Sequence, residues 1–336
     1  MKKLCFILGL LLLLVSCKNE SSDVQVLFGN AFGTTYAIKY YPSKNFNAES
    51  GIDSVIYAVN KSVSTYMPES DISKINRGDA TVIVDAIFKN AFRISETVYI
   101  NSNGYFDPTI GVLRNAYGFG DTAPIREMSP RTVDSLMDFV GFRKVRLTKD
   151  GTIQKDNPNI YFDFNAVAKG YGIDCIGSYL ESQGVSNYLV ELGGEILTKG
   201  RNKEKNKAWV VGIESPESEL EDRTTIVTIK LENKGMASSG NYRKFRVDSI
   251  TGKKYVHTIN PLTGSAEQSD LTSATVIANS CAEADAYATA CMALGFEKAK
   301  ELLVNTAEVE GYLTYTDTKN VSQVYISEGF RNVIIH

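Results

Sequence analysis

Residues 163–174 read Asp-Phe-Asn-Ala-Val-Ala-Lys-Gly-Tyr-Gly-Ile-Asp, and the sequence changes there from a strand-like to a helix-like pattern. The strand-like run is residues 159–162, directly before this segment. The segment places a carboxylate, Asp163, and a cation, Lys169, beside small residues at the start of the helix. Backbone amides at a helix N-terminus lack intrahelical partners and favour a bound anion. The segment therefore predicts either an anion site or a purely structural helix start, which is the commoner meaning of Ala-Lys-Gly.

The sequence on both sides of this segment predicts an α+β fold. Downstream, short apolar runs alternate with turns, as is typical of an antiparallel sheet. The downstream strands are predicted at residues 188–192, 209–213, 225–231, 242–247, 254–259 and 273–277, with turns at 238–241 and 260–264. Upstream, strands at 24–28 and 34–41 precede amphipathic helices that begin near Asn47, Asp85 and Ser129. We therefore expect a mainly antiparallel sheet with flanking helices.

A turn-rich segment at residues 104–111, Gly-Tyr-Phe-Asp-Pro-Thr-Ile-Gly, allows two interpretations. It is dense in turn formers and aromatic residues, which suits either a surface loop or a lip around a planar ligand. The surface loop is the preferred interpretation, because turn residues occur wherever a chain reverses direction.

A later helix carries a second candidate site. Residues 280–283, Ser-Cys-Ala-Glu, fit a capping box, so a helix is predicted from Cys281 to just before Gly295. Asp285 and Thr289 then lie one turn apart on the same helix face. A carboxylate and a hydroxyl in that arrangement could hold Mg²⁺ together with backbone carbonyls and water. The alternative is an aspartate stabilised by the helix dipole and a threonine packed in the core.

The composition describes a globular chain. Its 336 residues are 43% hydrophobic and 22% charged, which indicates one large domain or two closely joined ones. The formal charge of −3 gives no support for a nucleic-acid-binding surface. The only histidines are His257 and His336, which argues against a zinc site built mainly from imidazole groups.

The N-terminus resembles an export signal. Lys2 and Lys3 precede an apolar run at residues 4–15, which is too short to span a bilayer and is typical of a signal-peptide core. Residues 14–17, Leu-Val-Ser-Cys, resemble the bacterial lipobox, in which the cysteine, here Cys17, is lipidated after cleavage. The alternative is an ordinary signal peptide with an incidental cysteine.

We therefore predict a lipoprotein signal peptide at residues 1–17, a tether at 18–28 and one folded domain at 29–336. The protein is then expected to be exported, anchored to the membrane by lipid and facing the periplasm.

Three cysteines lie in the predicted domain, namely Cys175, Cys281 and Cys291, too few for a disulfide framework. Ten residues along one helix place Cys281 about 15 Å from Cys291, beyond disulfide reach. We expect buried free thiols.

Taken in series, the motifs resemble those of the ApbE family of FAD:protein FMN transferases, from about Gly33 to Gly295. The matching stretches are Gly33-Thr34-Thr35-Tyr36, Ser64-Thr65-Tyr66, Phe106-Asp107-Pro108-Thr109-Ile110-Gly111, Ala168-Lys169-Gly170-Tyr171, Gly193-Gly194, Ser239-Gly240-Asn241-Tyr242, His257-Thr258-Ile259-Asn260-Pro261 and Asp285 to Thr289. Where the family usually has methionine, tryptophan and aspartate, this chain has Phe32, Tyr117 and Asn260.

The resemblance implies a T-fold-like core and Mg²⁺-dependent transfer of FMN from FAD to a threonine or serine hydroxyl of a target protein, with release of AMP. Such a displacement at phosphorus depends mainly on positioning and charge neutralisation. By motif position, the resemblance assigns Mg²⁺ to Asp285, Thr289 and the backbone carbonyl of Ala166. It assigns contacts with FAD to Phe32, Tyr66, Asp107, Thr109, Asp163, Lys169, His257 and Ile259. The candidate catalytic residues are Lys169, His257 and Asp285.

The implied partners are FAD, the membrane and an extracytoplasmic flavoprotein, for example a subunit of a redox-driven ion pump, with no nucleic acid. Two other readings stay open. The protein could hydrolyse FAD to FMN and AMP, or it could be a lipoprotein that binds a flavin without chemistry. The oxygen ligands on one helix favour an enzyme, since capture of FAD needs no dedicated Mg²⁺ site.

Overall fold

The computed structural model describes residues 23–42, 46–214, 225–241, 245–247, 252 and 254–335. Among these residues are fourteen strands and nine helices. The strands are β1 (Gln25–Ala31), β2 (Thr34–Tyr40), β3 (Val145–Leu147), β4 (Ile153–Lys155), β5 (Tyr188–Leu192), β6 (Glu195–Lys199), β7 (Trp209–Glu214), β8 (Thr225–Leu231), β9 (Gly235–Gly240), β10 (Phe245–Val247), β11 (Lys254–Val256), β12 (Leu271–Ala278), β13 (Glu310–Thr316) and β14 (Ser322–Ile326). The helices are α1 (Glu49–Val63), α2 (Asp71–Asn76), α3 (Ala86–Asn101), α4 (Gly111–Ala116), α5 (Pro130–Met137), α6 (Ala168–Ser182), α7 (Cys281–Leu294), α8 (Phe296–Asn305) and α9 (Glu328–Arg331).

One eight-stranded antiparallel sheet organises the described chain, in the order β1-β2-β5-β6-β9-β12-β13-β14. Three short hairpins, β3–β4, β7–β8 and β10–β11, form separate two-stranded sheets. Helices α6 and α7 contact each other, and both contact strands of the large sheet. This arrangement confirms the predicted α+β class with its mainly antiparallel sheet.

Two central strands, β6 and β9, were missed by the sequence analysis. The β9 segment, Gly-Met-Ala-Ser-Ser-Gly, lacks the β-branched and aromatic residues that favour strands, and its last residues were predicted as a turn. That turn prediction is wrong, because β9 lies between β6 and β12 and pairs with both. Hydrogen bonding from two neighbours outweighs the weak local preference.

Several predicted segments lie at the limits of the described residue ranges or outside them. Strand β1 begins at Gln25 and pairs with β2 along its length, so residues 25–28 of the predicted tether belong to the sheet. The predicted signal peptide with Cys17, residues 242–244 and His336 lie outside the described residues. Among the residues that the structure describes, no helix is long and apolar enough to cross a bilayer.

Three helices begin where the sequence predicts, and a side chain caps each of them. The Asp85 side chain accepts a hydrogen bond from the Phe88 amide at the start of α3, and Ser129 caps α5 in the same way. At the start of α7, Ser280 Oγ accepts a hydrogen bond from the Glu283 amide over 3.2 Å. These bonds satisfy amides that have no partner within the helix.

Helices α6 and α7 approach closely at a glycine. A Cβ atom at Gly170 would lie 2.4 Å from the Cys281 carbonyl oxygen, so only glycine fits there. Four residues further along α6, the Asp174 carboxylate accepts hydrogen bonds from the amides of Cys281 and Ala282, over 2.8 and 2.9 Å. The start of α7 is therefore fixed against the first turns of α6.

The segment at residues 104–111 is not a surface loop, and that preferred interpretation is wrong. Phe106, Asp107 and Thr109 are buried. The Asp107 carboxylate accepts hydrogen bonds from Thr109 and from the Phe142 amide, which ties the segment to the next part of the chain. Turn formers here build an internal wall.

The three cysteines of the described domain are free; Cys281 and Cys291 are buried and Cys175 is half-buried.

Candidate active site

Two cavities adjoin at the start of α6. The smaller one has a volume of about 370 Å³ and lies between the 104–111 segment, β9, α7 and the chain after β11. The larger one, of about 650 Å³, lies beside α1 and is lined by Phe32 and Tyr66. Arg114, Asn165 and Lys169 line both cavities. An elongated ligand with an anionic centre could therefore place that centre between two cations.

Lys169 is held by a carboxylate that the sequence analysis did not select. Its Nζ atom lies 2.7 Å from Glu195 Oε1, and the Glu195 side chain is only 4% exposed. Burial alone would lower the pKa of Lys169, but the Glu195 and Asp285 carboxylates raise it above its ordinary value. Lys169 therefore stays charged at the junction of the two cavities.

Asp285 and Thr289 both line the smaller cavity, as does Ala166. The Gly170 amide, in the first turn of α6, donates to Asp285 Oδ2, and no backbone amide among the described residues is paired with the Ala166 carbonyl. Burial raises the pKa of the Asp285 carboxyl, although Lys169 opposes that shift. The structure thus brings Asp285, Thr289 and Ala166, the three residues to which the resemblance assigns the ion, to the wall of one cavity.

This donor set fits Mg²⁺, which prefers oxygen ligands and keeps several waters. Within the described residues there is no group of three or more histidine, cysteine or carboxylate side chains that could hold a metal ion. A site here would instead combine one carboxylate, Asp285, with Thr289, the Ala166 carbonyl and water.

Asp163 belongs to a network that reaches into both cavities. Its Oδ2 accepts a hydrogen bond from Arg114 Nη1, and its Oδ1 accepts from the Asn165 amide over 2.7 Å. Arg114 Nη2 donates to the Tyr66 hydroxyl over 2.8 Å. Burial alone would lower the pKa of Arg114, but the neighbouring Asp163 and Tyr66 raise it. Arg114 is thus a second cation at the junction. Its hydrogen-bond partner Tyr66 is 59% exposed.

Asp107 and Thr109 are placed differently from each other. Asp107 lines the smaller cavity, whereas Thr109 is fully buried and is not among the lining residues. Thr109 Oγ1 donates to Asp107 Oδ1 over 2.6 Å and accepts from the Gly141 amide over 2.7 Å. Burial raises the pKa of Asp107 against these hydrogen bonds. The structure gives both residues a role in holding the cavity wall, and their contacts with FAD stay a prediction.

The remaining predicted residues line one cavity each. His257 and Ile259 line the smaller cavity, with the His257 ring edge-on to Phe119 at 6.5 Å between centroids. Phe32 lines the larger cavity and adopts a left-handed backbone conformation, with φ of 49°. Its ring lies against Gly172, where a Cβ atom would come within 2.4 Å.

The two other departures from the family pattern have structural explanations. Tyr117 is buried, and its hydroxyl donates to the Gly264 carbonyl over 2.9 Å, so it supports the interior of the wall. Asn260 Oδ1 accepts from the Leu262 amide over 2.9 Å. An aspartate could make the same turn, because only an acceptor oxygen is required.

The family model described as "ApbE family" matches residues 32–313. The chain belongs to the ApbE family. It is 34% identical to the FAD:protein FMN transferase of Haemophilus influenzae over 303 residues, 86% of each chain. It is 33% identical to the enzyme of the same name from Vibrio cholerae over 96% of each chain.

Solved ApbE structures share this fold. The flavin transferase ApbE from Vibrio cholerae superimposes with a TM-score of 0.80 at 28% identity, covering 93% of this chain and 99% of that one. The apo form of the Pseudomonas stutzeri flavinyl transferase ApbE gives a TM-score of 0.80 at 25% identity, covering 93% of this chain and 96% of that one.

Sequence reasoning missed two ionic residues of this ApbE site, Arg114 and Glu195. Arg114 lies on the short helix α4, inside a turn-rich region that offered no helical periodicity. Glu195 begins β6 directly after Gly193 and Gly194, where a charged residue is usually solvent-exposed. The signal that could have found Glu195 is its place after a glycine pair that was already recognised as a family motif.

Proposed function

We propose that the chain is an FAD:protein FMN transferase, which moves FMN from FAD to a threonine or serine hydroxyl of a target protein and releases AMP. The observation that carries the proposal is the pair of cavities joined at Lys169 and Arg114. FAD is two nucleotide halves linked by a pyrophosphate, so its length and central charge suit this shape. The family relatives named FAD:protein FMN transferase support the same activity.

The reaction forms a bond between the acceptor oxygen and the phosphorus of the FMN half. It breaks the bond from that phosphorus to the bridging oxygen, whose electron pair leaves with AMP, and the hydroxyl proton passes to a base. Lys169 would stabilise the charged pyrophosphate oxygens, while its bond to Glu195 keeps the ammonium in place. His257 lines the cavity where the proton is lost, and it either takes this proton or orients the substrate.

We further propose that the enzyme depends on Mg²⁺ held by Asp285, Thr289 and the Ala166 carbonyl. When bound, the ion supplies neutralisation of the charge that builds up on the phosphate oxygens. The support lies in the donor set of the smaller cavity and in the Gly170 amide, which orients Asp285.

The proposed setting is the periplasm, with Cys17 as lipid anchor and an extracytoplasmic flavoprotein, such as an ion-pump subunit, as target. The support is the sequence of residues 1–17. Membrane fractionation of a strain that expresses the chain, beside a Cys17→Ala variant, tests this location. A wild-type protein found only in soluble fractions would contradict it.

One experiment separates the proposed transfer from its rivals. The domain is incubated with FAD, Mg²⁺ and candidate target proteins, and both the proteins and the nucleotides are analysed by mass spectrometry. We expect a target with one added FMN and an equal amount of AMP, with both lost in EDTA. FMN and AMP without a labelled protein would indicate a hydrolase, and intact FAD throughout would indicate a binding protein.

A further inference from the structure

Glu195 carries a buried carboxylate with one occupied and one unoccupied oxygen. Oε1 accepts the Lys169 ammonium over 2.7 Å, and the side chain is only 4% exposed. Oε2 is buried and accepts no hydrogen bond from the residues that the structure describes. Burial and the neighbouring Asp285 carboxylate raise the pKa of the Glu195 carboxyl, while Lys169 opposes that shift. Glu195 lines the smaller cavity together with Asp285 and Thr289.

An unpaired carboxylate oxygen in a buried position is costly, because it has lost its hydration without a replacement. A counterion for Lys169 would need only one oxygen and no access to the cavity. The second oxygen of Glu195 therefore suggests a further polar group that this side chain is placed to bind.

We propose that Glu195 is a positioning residue of the magnesium site: Oε1 holds Lys169, and Oε2 accepts a hydrogen bond from a water molecule of the ion. The inference rests on the Mg²⁺ dependence proposed above. Mg²⁺ usually keeps several waters and uses one or two carboxylates directly, and Asp285 already supplies one. Side chains that hold metal-bound groups in place commonly change metal affinity by about 10- to 100-fold when replaced.

Mn²⁺ binding, followed by the loss of the free-ion EPR signal, tests the proposal without any turnover. The Glu195→Gln variant retains the size of the side chain, and it is expected to bind Mn²⁺ about tenfold more weakly than the wild type. The matched control is Glu308→Gln, which removes another glutamate paired with a lysine, Lys234, at 2.6 Å and away from the smaller cavity. The control should bind Mn²⁺ like the wild type.

A second pair of variants separates metal positioning from simple charge balance. In Lys169→Met, no ammonium is left for Glu195 to neutralise, so Glu195→Met added to it, which leaves no acceptor oxygen at this position, tests whether Glu195 serves the ion. We expect the double variant to bind Mn²⁺ at least about fivefold more weakly than Lys169→Met. Equal affinities would overturn the proposal and leave Glu195 as a counterion.

The two proposals fail differently. A wild-type protein that binds no Mn²⁺ at millimolar concentration would overturn the Mg²⁺ dependence and this inference together. If the wild type binds Mn²⁺, and neither Glu195→Gln nor the double variant binds it more weakly than its parent protein, this inference alone is overturned. Thermal melting of each variant identifies one that does not fold, and the Lys169→Met pair then decides, because it leaves no unpaired buried ammonium.

Discussion

The Gly170 amide donates a hydrogen bond to Asp285 Oδ2 over 3.2 Å, across the contact between α6 and α7. Helix α6 begins at Ala168, so this amide lies in the first turn and has no carbonyl partner within the helix. The bond to Asp285 satisfies the amide and fixes the direction of the Asp285 carboxylate, while the Ala166 carbonyl, which precedes the helix, is paired with no backbone amide among the described residues. The start of α6 thus lies beside two of the three proposed Mg²⁺ ligands.

Replacing Asp285 by asparagine should separate charge from shape. Asparagine keeps an acceptor for the Gly170 amide but loses the negative charge that binds a cation. We expect Mg²⁺-dependent AMP release from FAD to fall at least about 100-fold, the scale of losing one charge-stabilising group in a transition state. The measurement is AMP release at saturating FAD, with Glu283→Gln on the same helix as control. Full activity of the Asp285→Asn or Asp285→Ala variant would contradict the proposed metal site.

The Gly170→Ala variant should lose stability although alanine favours helices. The helical preference of alanine would add about 1 kcal/mol, but the new Cβ would meet the Cys281 carbonyl oxygen at 2.4 Å. Forcing atoms into a closely packed contact costs about 1–3 kcal/mol. The start of α6, with Ala166 before it, would then move away from Asp285 and Thr289 on α7. The free energy of unfolding, measured by urea denaturation, and the Mn²⁺ affinity should both fall. The control Ser178→Ala, at an exposed position of α6, should change neither. A Gly170→Ala protein as stable as the wild type would contradict the close approach.

Arg114→Lys should weaken FAD binding while preserving the charge. The guanidinium of Arg114 contacts Asp163 and Tyr66 simultaneously through two nitrogen atoms, which a single lysine ammonium cannot do with the same geometry. We expect FAD affinity, measured by flavin fluorescence, to fall about tenfold, the effect of losing one charge-assisted hydrogen bond. Tyr66→Phe removes only the hydroxyl contact and should have a smaller effect. Equal affinities in the wild type and Arg114→Lys would show that the fork geometry is not used.

Asp174 should make stability depend on pH. Burial raises the pKa of its carboxyl from 3.8 to about 7, against the opposing hydrogen bonds from the Ala282 and Cys281 amides. A raised native pKa means that the folded protein binds the proton more tightly than the unfolded chain. The contribution of Asp174 to the free energy of unfolding is therefore complete below about pH 4 and is lost as the pH rises through 7.

The Asp174→Asn variant tests this pH dependence by removing the titrating group. Between pH 5 and pH 7.5, the free energy of unfolding should fall more for the wild type than for the variant, by about 1–3 kcal/mol, since one pKa unit is worth about 1.4 kcal/mol. Urea denaturation at both pH values gives the comparison. Parallel behaviour of the two proteins would show that Asp174 is ionised throughout this range.

Local sequence signals predicted the positions of several candidate site residues within their helices. Asp285 and Thr289 could be placed on one helix face because the Ser280 cap fixes where α7 begins. Lys169 was found because it begins a helix after a strand-like run. What brings these two helices together is the absence of a side chain at Gly170, a contact between residues more than 100 positions apart. Sequence spacing within one helix carries no information about such a contact.

The residues and the strand that the sequence analysis missed have one reason in common. Glu195 and Arg114 are charged, and charged side chains are normally exposed. Glu195 is buried and Arg114 half-buried because a partner from another part of the chain neutralises each, Lys169 in one case and Asp163 in the other. Strand β9 follows the same rule, since its pairing with β6 and β12 overrides a sequence that favours turns. Burial of this kind is decided by the tertiary structure.

Among the residues that the structure describes, the two cavities share Arg114, Asn165 and Lys169, and outside residues 163–170 their other walls come from different parts of the chain. Substitutions at Phe32 can therefore alter one wall without contacting His257 or Ile259, whereas Tyr66 is coupled to both cavities through its hydrogen bond with Arg114. Recognition of one end of a long ligand can therefore be changed separately from recognition of the other end. Phe32, which stands where the family usually has methionine, lines the larger cavity and not the smaller one, so its side chain bears on one end alone.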